Sequence, residues 1–331
     1  MVIMSDVAKL ANVSMQTVSR VVNDKGQVSS KTKAAVEAAI DQLGYRPNSI
    51  ARALASRKSH RIGLISTGIA ARSLSKRMLA FNEAARSSGY DVSIVNIDDA
   101  DYEGLLDAFD SLLQQNVEGL VVIAADRDLL GALQEIKVDV PLVISEGSSL
   151  PGLHSVSVDQ FVGARIATRH LLDLGHREIR HITGPPRSLD AIERLRGWRT
   201  ELVAAGAPLS EPLVGDWRPM SGYEAGVELA KARDFTAVFC ANDQMVVGLL
   251  HAFYEAGIRV PEDVSIVGFD DIPESAHLIP PLTTVRQDFD ELGRRIMETL
   301  IAEIEGIAVT APERTEPELI IRQSTRRVTT G

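Results

Sequence analysis

Two kinds of hydrophobic spacing divide this chain. Up to residue 43 the apolar positions fall in short helical runs, and from Ile62 onward they fall in brief solid blocks separated by amphipathic stretches. In the first region Val7, Ala8, Leu10 and Ala11 form one run that stops at Asn12-Val13. Ser14 is placed to cap a second run carrying Met15, Val18, Val21 and Val22. Asn12 suits the turn between them because Asn tolerates a left-handed backbone better than most residues. Ser29 can cap a third run, in which Val36, Ala39, Ile40 and Leu43 fall at i, i+3, i+4 and i+7. Two short helices on a tight turn, with a third to complete the core, predict an N-terminal all-α helix-turn-helix module.

The blocks of the second region predict strands at Ile62–Ile65, Val92–Ile97, Leu120–Ile123, Leu142–Ile144, Ile179–Ile182, Ala237–Cys240 and Ser265–Val267. Helices are predicted between them, such as Tyr102–Gln115 and Gln244–Glu255, each with a continuous apolar side. Strand and helix in alternation predict parallel sheets with crossover helices. About 270 residues is long for one such sheet, so two α/β subdomains are expected.

Charge changes this picture. The net charge of the 331 residues is −10, which by itself argues against a nucleic-acid ligand. Residues 1–60, however, hold nine Lys/Arg and four Asp/Glu, so the head is basic and the body acidic. That asymmetry suggests a small polyanion-binding module on a larger partner. The single cysteine, Cys240, excludes a disulfide framework and a multi-cysteine metal site, and reads as a buried small residue. No apolar run is long enough to span a bilayer, and MVIMSDVAKLANVS lacks the pattern of a signal peptide, so a cytoplasmic protein is expected. No GxGxxG, GxxxxGK[ST], GxSxG or HExxH occurs, and no catalytic residue, metal or cofactor is assigned.

The exposed side of the second helix would carry Gln16, Thr17, Ser19 and Arg20. Hydroxyls suit phosphate oxygens, and Gln and Arg can reach base edges. The alternative is a merely solvated face, which the basic charge disfavours. DVAKLANVSMQTVSRVVN, followed by VSSKTKAAVEAAIDQLGYRPNSIARAL, resembles the LacI/GalR family of bacterial transcription factors. The resemblance covers nearly the whole chain and is strongest with lactose-type members, through GDWRPMSGYEAG, CANDQMVVGLL and VSIVGFDDIPESAHLIPPLTTVRQDFDELG. It implies a DNA-binding domain over 1–47, a hinge over 48–59, and an effector-binding core over 60–331. The core would have a periplasmic-binding-protein-like fold of two parallel-sheet subdomains, about 60–158 with 289–316 and about 159–286 with 317–325. Double-stranded DNA would be contacted by Ser14, Met15, Gln16, Thr17, Ser19, Arg20, Asn23, Gln27, Ser29 and Asn48. Leu54 of the hinge would wedge into the minor groove. Asn12 departs from the family's usual Gly, and Met15 from the tyrosine of lactose-type members.

A sugar needs fixed polar groups for its hydroxyls and an aromatic ring for its apolar face. Such clefts lie outside the carboxyl ends of parallel strands. Asn242, Asp270 and Arg194 can supply the first and Trp217 the second. For Trp217 the alternative is core packing, and for Asp270 with Asp271 it is a solvated loop or helix cap. The resemblance adds Gln287 and Phe289, and keeps Ser66 and Thr67 as small polar wall residues. Glu146 and Asp190 lie where lactose-type members have an Asp and a small hydroxyl residue, so they too are assigned to the effector. The function implied is a repressor of a carbohydrate-utilisation operon, released from a palindromic operator by a small sugar such as a galactoside. The alternatives are a family member with a purine or phosphoprotein co-repressor, a transport-type sugar-binding module, and a cytosolic sugar-acting α/β enzyme. A homodimer is expected from the palindrome. The final RQSTRRVTTG has no heptad pattern, so no tetramer built on a C-terminal helix is expected, and Arg326-Arg327 reads as a frayed tail.

Overall fold

In the computed structural model the described residues are 2–22, 28–45, 58–67, 72–97, 102–123, 126–145, 154–309 and 314–328. They fall into two compact units, Met1–His60 and Arg61–Gly331. Asn23, Gln27, Asn48, Leu54 and Glu146, and residues 48–57 of the expected hinge, lie outside the described residues.

The first unit has three helices, α1 (Met4–Leu10), α2 (Met15–Val22) and α3 (Ser30–Leu43). Asn12 has φ 52°, the left-handed backbone that the turn requires. Ser14 Oγ accepts the Thr17 N–H at 3.1 Å, and Ser29 Oγ accepts that of Thr32 at 3.3 Å, so both hydroxyls satisfy orphan donors at helix starts. α3 ends on Gly44 at φ 59°. Val7, Ala8, Val18, Val36, Ala39 and Tyr45 make the core of the unit.

The second unit contains two sheets. One has the order β2 (Asp91–Ile97), β1 (Arg61–Thr67), β3 (Gly119–Ile123), β4 (Leu142–Ile144), β5 (His154–Ser155), all parallel. Its crossover helices are α4 (Arg72–Ser87), α5 (Tyr102–Leu113) and α6 (Arg127–Glu135). The other has the order β11 (Glu318–Ile320), β10 (Thr283–Arg286), β9 (Ser265–Phe269), β8 (Ala237–Cys240), β6 (Ile179–Thr183), β7 (Leu213–Val214). It is parallel except where β11 joins β10 antiparallel. Its helices are α7 (Gln160–Asp173), α8 (Leu189–Ala204), α9 (Pro219–Ala232) and α10 (Asp243–Glu255).

The solid apolar blocks arise because each sheet is covered on both faces. Ile62, Leu64 and Val121 pack on one side of the first sheet, and Ile65, Leu120 and Val122 on the other. Phe239 and Val267 divide from Val238 and Ile266 in the same way across the second. The chain returns to the first sheet late. α11 (Phe289–Ile304) puts Leu292, Ile296, Met297 and Leu300 into the same core as Ile62 and Leu64, before β11 pairs in the second sheet. Arg326 is not frayed. Its N–H donates to Ser265 Oγ at 3.0 Å and its carbonyl accepts from His176 Nε2 at 3.1 Å, so backbone hydrogen bonding overrides the polar composition of this stretch.

Candidate functional site

On the first unit, Met15, Gln16 and Arg20 of α2 are exposed, with Met15 57% accessible, while Val18 of the same helix is fully buried. This side of α2 is therefore left unpacked within the unit, with an apolar side chain, an amide and a guanidinium exposed together. Ser14 and Thr17 are tied to each other through their hydroxyls at 2.9 Å as well as by the cap. Ser29 is engaged in the same way with Thr32, so these hydroxyls hold helix ends in place.

On the second unit, several of the expected cleft residues meet at the carboxyl ends of β8, β9 and β10. Arg194, in the middle of α8, is 2% exposed. Its Nε donates to Gln160 Oε1 at 2.9 Å, its Nη1 to the Ala241 carbonyl, and its Nη2 to Asp270 Oδ1 at 3.5 Å. Gln160 Nε2 donates to Gln287 Oε1 at 2.7 Å, and Gln287 Nε2 donates to Asp270 Oδ1 at 2.7 Å. Arg194, Gln160, Gln287 and Asp270 therefore form a closed hydrogen-bonded ring drawn from four separate segments. Two aromatic rings flank the guanidinium, Phe269 at 3.8 Å and Trp217 at 5.5 Å. Burial pushes the Asp270 carboxyl above the ordinary carboxylate range, against the pull of Arg194.

Trp217 is half-buried, lies over Gly184 and has a left-handed backbone at φ 73°. A Cβ at Gly184 would fall 2.2 Å from the indole, so the glycine makes room for the ring. Asn242 has both arms engaged. Its Oδ1 accepts the Met245 N–H at 2.9 Å as the cap of α10, and its Nδ2 donates to the Trp217 carbonyl at 3.0 Å. It holds the tryptophan loop in place, a positioning task that its place at a strand end did not reveal. Asp271 turns away to Arg286 and Arg322, each at 2.7 Å. Neither a loop in solvent nor a helix cap describes that pair of contacts.

The remaining expected residues come from the other sheet. Thr67 ends β1 with its hydroxyl on the Ile123 carbonyl at 3.4 Å, and Ser66 Oγ donates to Asn96 Oδ1 at 2.7 Å. Phe289 is buried at the start of α11 with the Arg77 guanidinium 5.7 Å above its ring. Arg77, on α4, donates to Asp190 Oδ2 at 2.6 Å, which joins the two sheets through a part-buried ion pair. Other contacts cross between the halves nearer the surface. Arg187 pairs with Asp126 and Asp128, the Arg127 N–H donates to the Arg187 carbonyl at 3.0 Å, and Lys76 Nζ donates to the Asp271 carbonyl at 3.3 Å.

Sequence reasoning missed Arg77, Gln160 and Phe269 as members of this site. Gln160 had a signal in the Asp-Gln pair that directly follows the apolar positions Val156 and Val158. Arg77 had none, because its partner Asp190 lies 113 positions away. Behind the site, Asp243 is fully buried and accepts from Ser275 Oγ, Thr284 Oγ1 and the Ile272 N–H at 2.6, 2.6 and 3.1 Å. Burial raises its carboxyl to about 7 against those three donors. Among the described residues no group of His, Cys, Asp and Glu is arranged to hold a metal, and no helix is long and apolar enough to cross a membrane.

Known proteins match this arrangement along its length. Residues 3–48 match the model of bacterial regulatory proteins of the lacI family, and residues 168–325 that of a periplasmic binding protein-like domain. The lactose operon repressor of Escherichia coli (strain K12) is 35% identical over 97% of this chain and 89% of its own. The HTH-type transcriptional repressor PurR of Haemophilus influenzae (strain PittEE) is 33% identical over 99% and 100%. A lac repressor dimer bound to operator and the anti-inducer ONPF superimposes with a TM-score of 0.87 at 35% identity, over 98% of this chain and 99% of that one. With a helix-turn-helix unit, a two-sheet α/β core and relatives of this identity over nearly its full length, the chain belongs to the LacI family of DNA-binding transcriptional repressors.

Proposed function

We propose that this repressor controls a carbohydrate-utilisation operon and leaves its operator when a small neutral sugar, with a galactoside as first candidate, binds the cleft between the two sheets. The observation that carries this reading is the ring of Arg194, Gln160, Gln287 and Asp270 beside Trp217. The ring spends most of its donors internally. Among the described residues no hydrogen bond reaches Asp270 Oδ2 or Asp190 Oδ1, which leaves carboxylate acceptors for ligand hydroxyls and an indole for a sugar's C–H face. The relationship to the lactose operon repressor supports a sugar as well. The relationship to transcriptional regulators supports a regulator rather than an enzyme.

On DNA, α2 lies in the major groove with Met15, Gln16 and Arg20 toward the bases, and Ser14, Thr17, Ser19 and Ser29 toward the backbone. Asn23, Gln27 and Asn48 add contacts, and Leu54 enters the minor groove at the centre of a two-fold operator bound by a homodimer. The sugar acts by differential affinity, binding more tightly to the arrangement of the halves that holds DNA poorly. A tenfold release needs only about 1.4 kcal/mol of coupling.

The test combines operator binding and thermal melting against galactosides, glucosides, ribose and purines. A galactoside that raises the melting temperature and lowers operator affinity supports the reading. A purine that stabilises the protein and strengthens operator binding would replace it with a co-repressor mechanism.

A further inference from the structure

Three sources of positive potential meet at Asp190. Arg77 Nη2 lies 2.6 Å from its Oδ2, and Arg194 Nη2 lies 3.7 Å from the same oxygen. The two guanidiniums are 8% and 2% exposed, and they come from opposite halves of the core. Asp190 also stands in the first turn of α8, whose N-terminus is capped by Ser188 and carries partial positive charge. Two buried arginines converging on a helix start are what an oxyanion site is made of. Here the chain fills that position with its own carboxylate.

We propose that Asp190 is a specificity-determining residue that closes the effector cleft to anions, so that the cleft accepts free sugars and rejects sugar phosphates and sugar acids. The inference rests on the sugar reading only for the names of the excluded compounds. A phosphate or carboxylate entering beside Arg77 and Arg194 meets a like charge flanked by two guanidiniums withdrawn from solvent, where screening is weak. Asp190 has no easy way out of the position. It is one helical turn from Arg194 on the same helix, and Arg77 holds it from the other half of the core. Nor does it readily take up a proton. Burial favours the neutral acid, but Arg77 and then Arg194 outweigh burial and keep the carboxyl below its ordinary range. A neutral hydroxyl meets no such opposition, since it can donate to the carboxylate and accept from a guanidinium.

The experiment follows thermal melting of the full chain at pH 7.5 in rising inorganic phosphate, with ionic strength held constant by sodium chloride. The parent's melting temperature should not respond. Asp190→Asn removes the carboxylate that pairs with both guanidiniums, while Asp270 stays 3.5 Å from Arg194, and the variant should be stabilised saturably, with a half-saturation at least about tenfold below any shown by the parent. Asp190→Ser is the second variant should the asparagine fail to melt cooperatively. Adding Arg77→Met to either should abolish the phosphate response. The proposal falls if parent and variants respond alike, if neither variant responds, or if the response survives Arg77→Met. The phosphate pattern in a protein whose parent ignores every sugar would uphold the role of Asp190 and count against the sugar reading alone.

Discussion

Replacing Arg194 by methionine removes the charge at the centre of the cleft, including the guanidinium 3.8 Å over the Phe269 ring, and keeps an unbranched apolar stem. The structure sets the size of the effect. The substitution strands the Ala241 carbonyl and Gln160 Oε1, and leaves Asp270 with Gln287 as its one remaining side-chain donor. Removing one partner of a buried ion pair costs about 3–5 kcal/mol, because the other charge stays behind without compensation. Asp270 limits that loss by taking up a proton, since burial already raises its carboxyl and the absence of Arg194 raises it further. The deficit of Arg194→Met should therefore be largest above neutral pH, where holding Asp270 ionised or protonating it is most costly. It should shrink as pH falls and Asp270 becomes neutral without cost.

Urea denaturation of parent and variant at pH 5.5 and pH 8 measures both quantities. Operator binding by whatever folded fraction remains should survive, because residues 1–60 form a compact unit of their own. Release by the sugar should be lost. A deficit below about 1 kcal/mol at pH 8 would place the guanidinium in solvent-like surroundings and refute the buried-ring account. Unchanged release by the sugar at the parent's concentration would refute its place in the site.

Three other substitutions test separate parts of the molecule. Arg20→Ala should cost about 1–3 kcal/mol of operator affinity and relax preference at one base pair, measured by binding to a set of single-base operator variants; equal weakening on random DNA would make it a phosphate contact. Gly184→Ala should displace the Trp217 indole, since the new methyl would fall 2.2 Å from it, costing about 1–3 kcal/mol and altering the ligand response of tryptophan fluorescence. Asp243→Asn should become more stable relative to the parent as pH rises from 4 to 8, by up to about 4 kcal/mol. The sign follows from a folded value near 7 above the unfolded one: the stability Asp243 contributes is present in full below its unfolded value and is lost as pH rises through the folded one. A parent–variant gap that does not move with pH would mean that Asp243 stays ionised in the fold.

The helix-turn-helix was legible because its determinants are local. A cap at Ser14, a left-handed Asn12 and apolar spacing within each helix are all properties of short stretches, and each can be read without knowing what lies beside it. The predicted strands were legible for a related reason: neighbours such as Leu64 and Ile65, Val121 and Val122, or Val238 and Phe239 are buried on opposite faces of their sheets, and two-sided burial leaves an unbroken apolar run. β7, with two residues, and β10, reading Thr-Thr-Val-Arg, carry no such run. β10 satisfies its buried threonines through Asp243 and Ser324, which no periodicity encodes.

The cleft failed to be legible in a different way. Most of the residues that meet at this candidate site stand out by strand-end position or by resemblance, but their hydrogen-bond partners do not. Arg194 was expected to offer donors to a ligand, and its Nε, Nη1 and Nη2 already donate to Gln160, the Ala241 carbonyl and Asp270 respectively. Asn242 was expected to hold hydroxyls, and its amide is engaged by the Trp217 carbonyl and a helix start. Arg77 was not found at all. A side chain's type is fixed by its own codon, whereas a hydrogen bond belongs to two residues, and those in the ring and the Arg77–Asp190 pair are separated by 17 to 127 positions. Physical chemistry then shifts the expected recognition from cations to acids. With the guanidiniums largely engaged by the protein, the proposed discrimination among ligands falls to the carboxylates of Asp270 and Asp190. Hydroxyl donors satisfy those carboxylates, and anions do not.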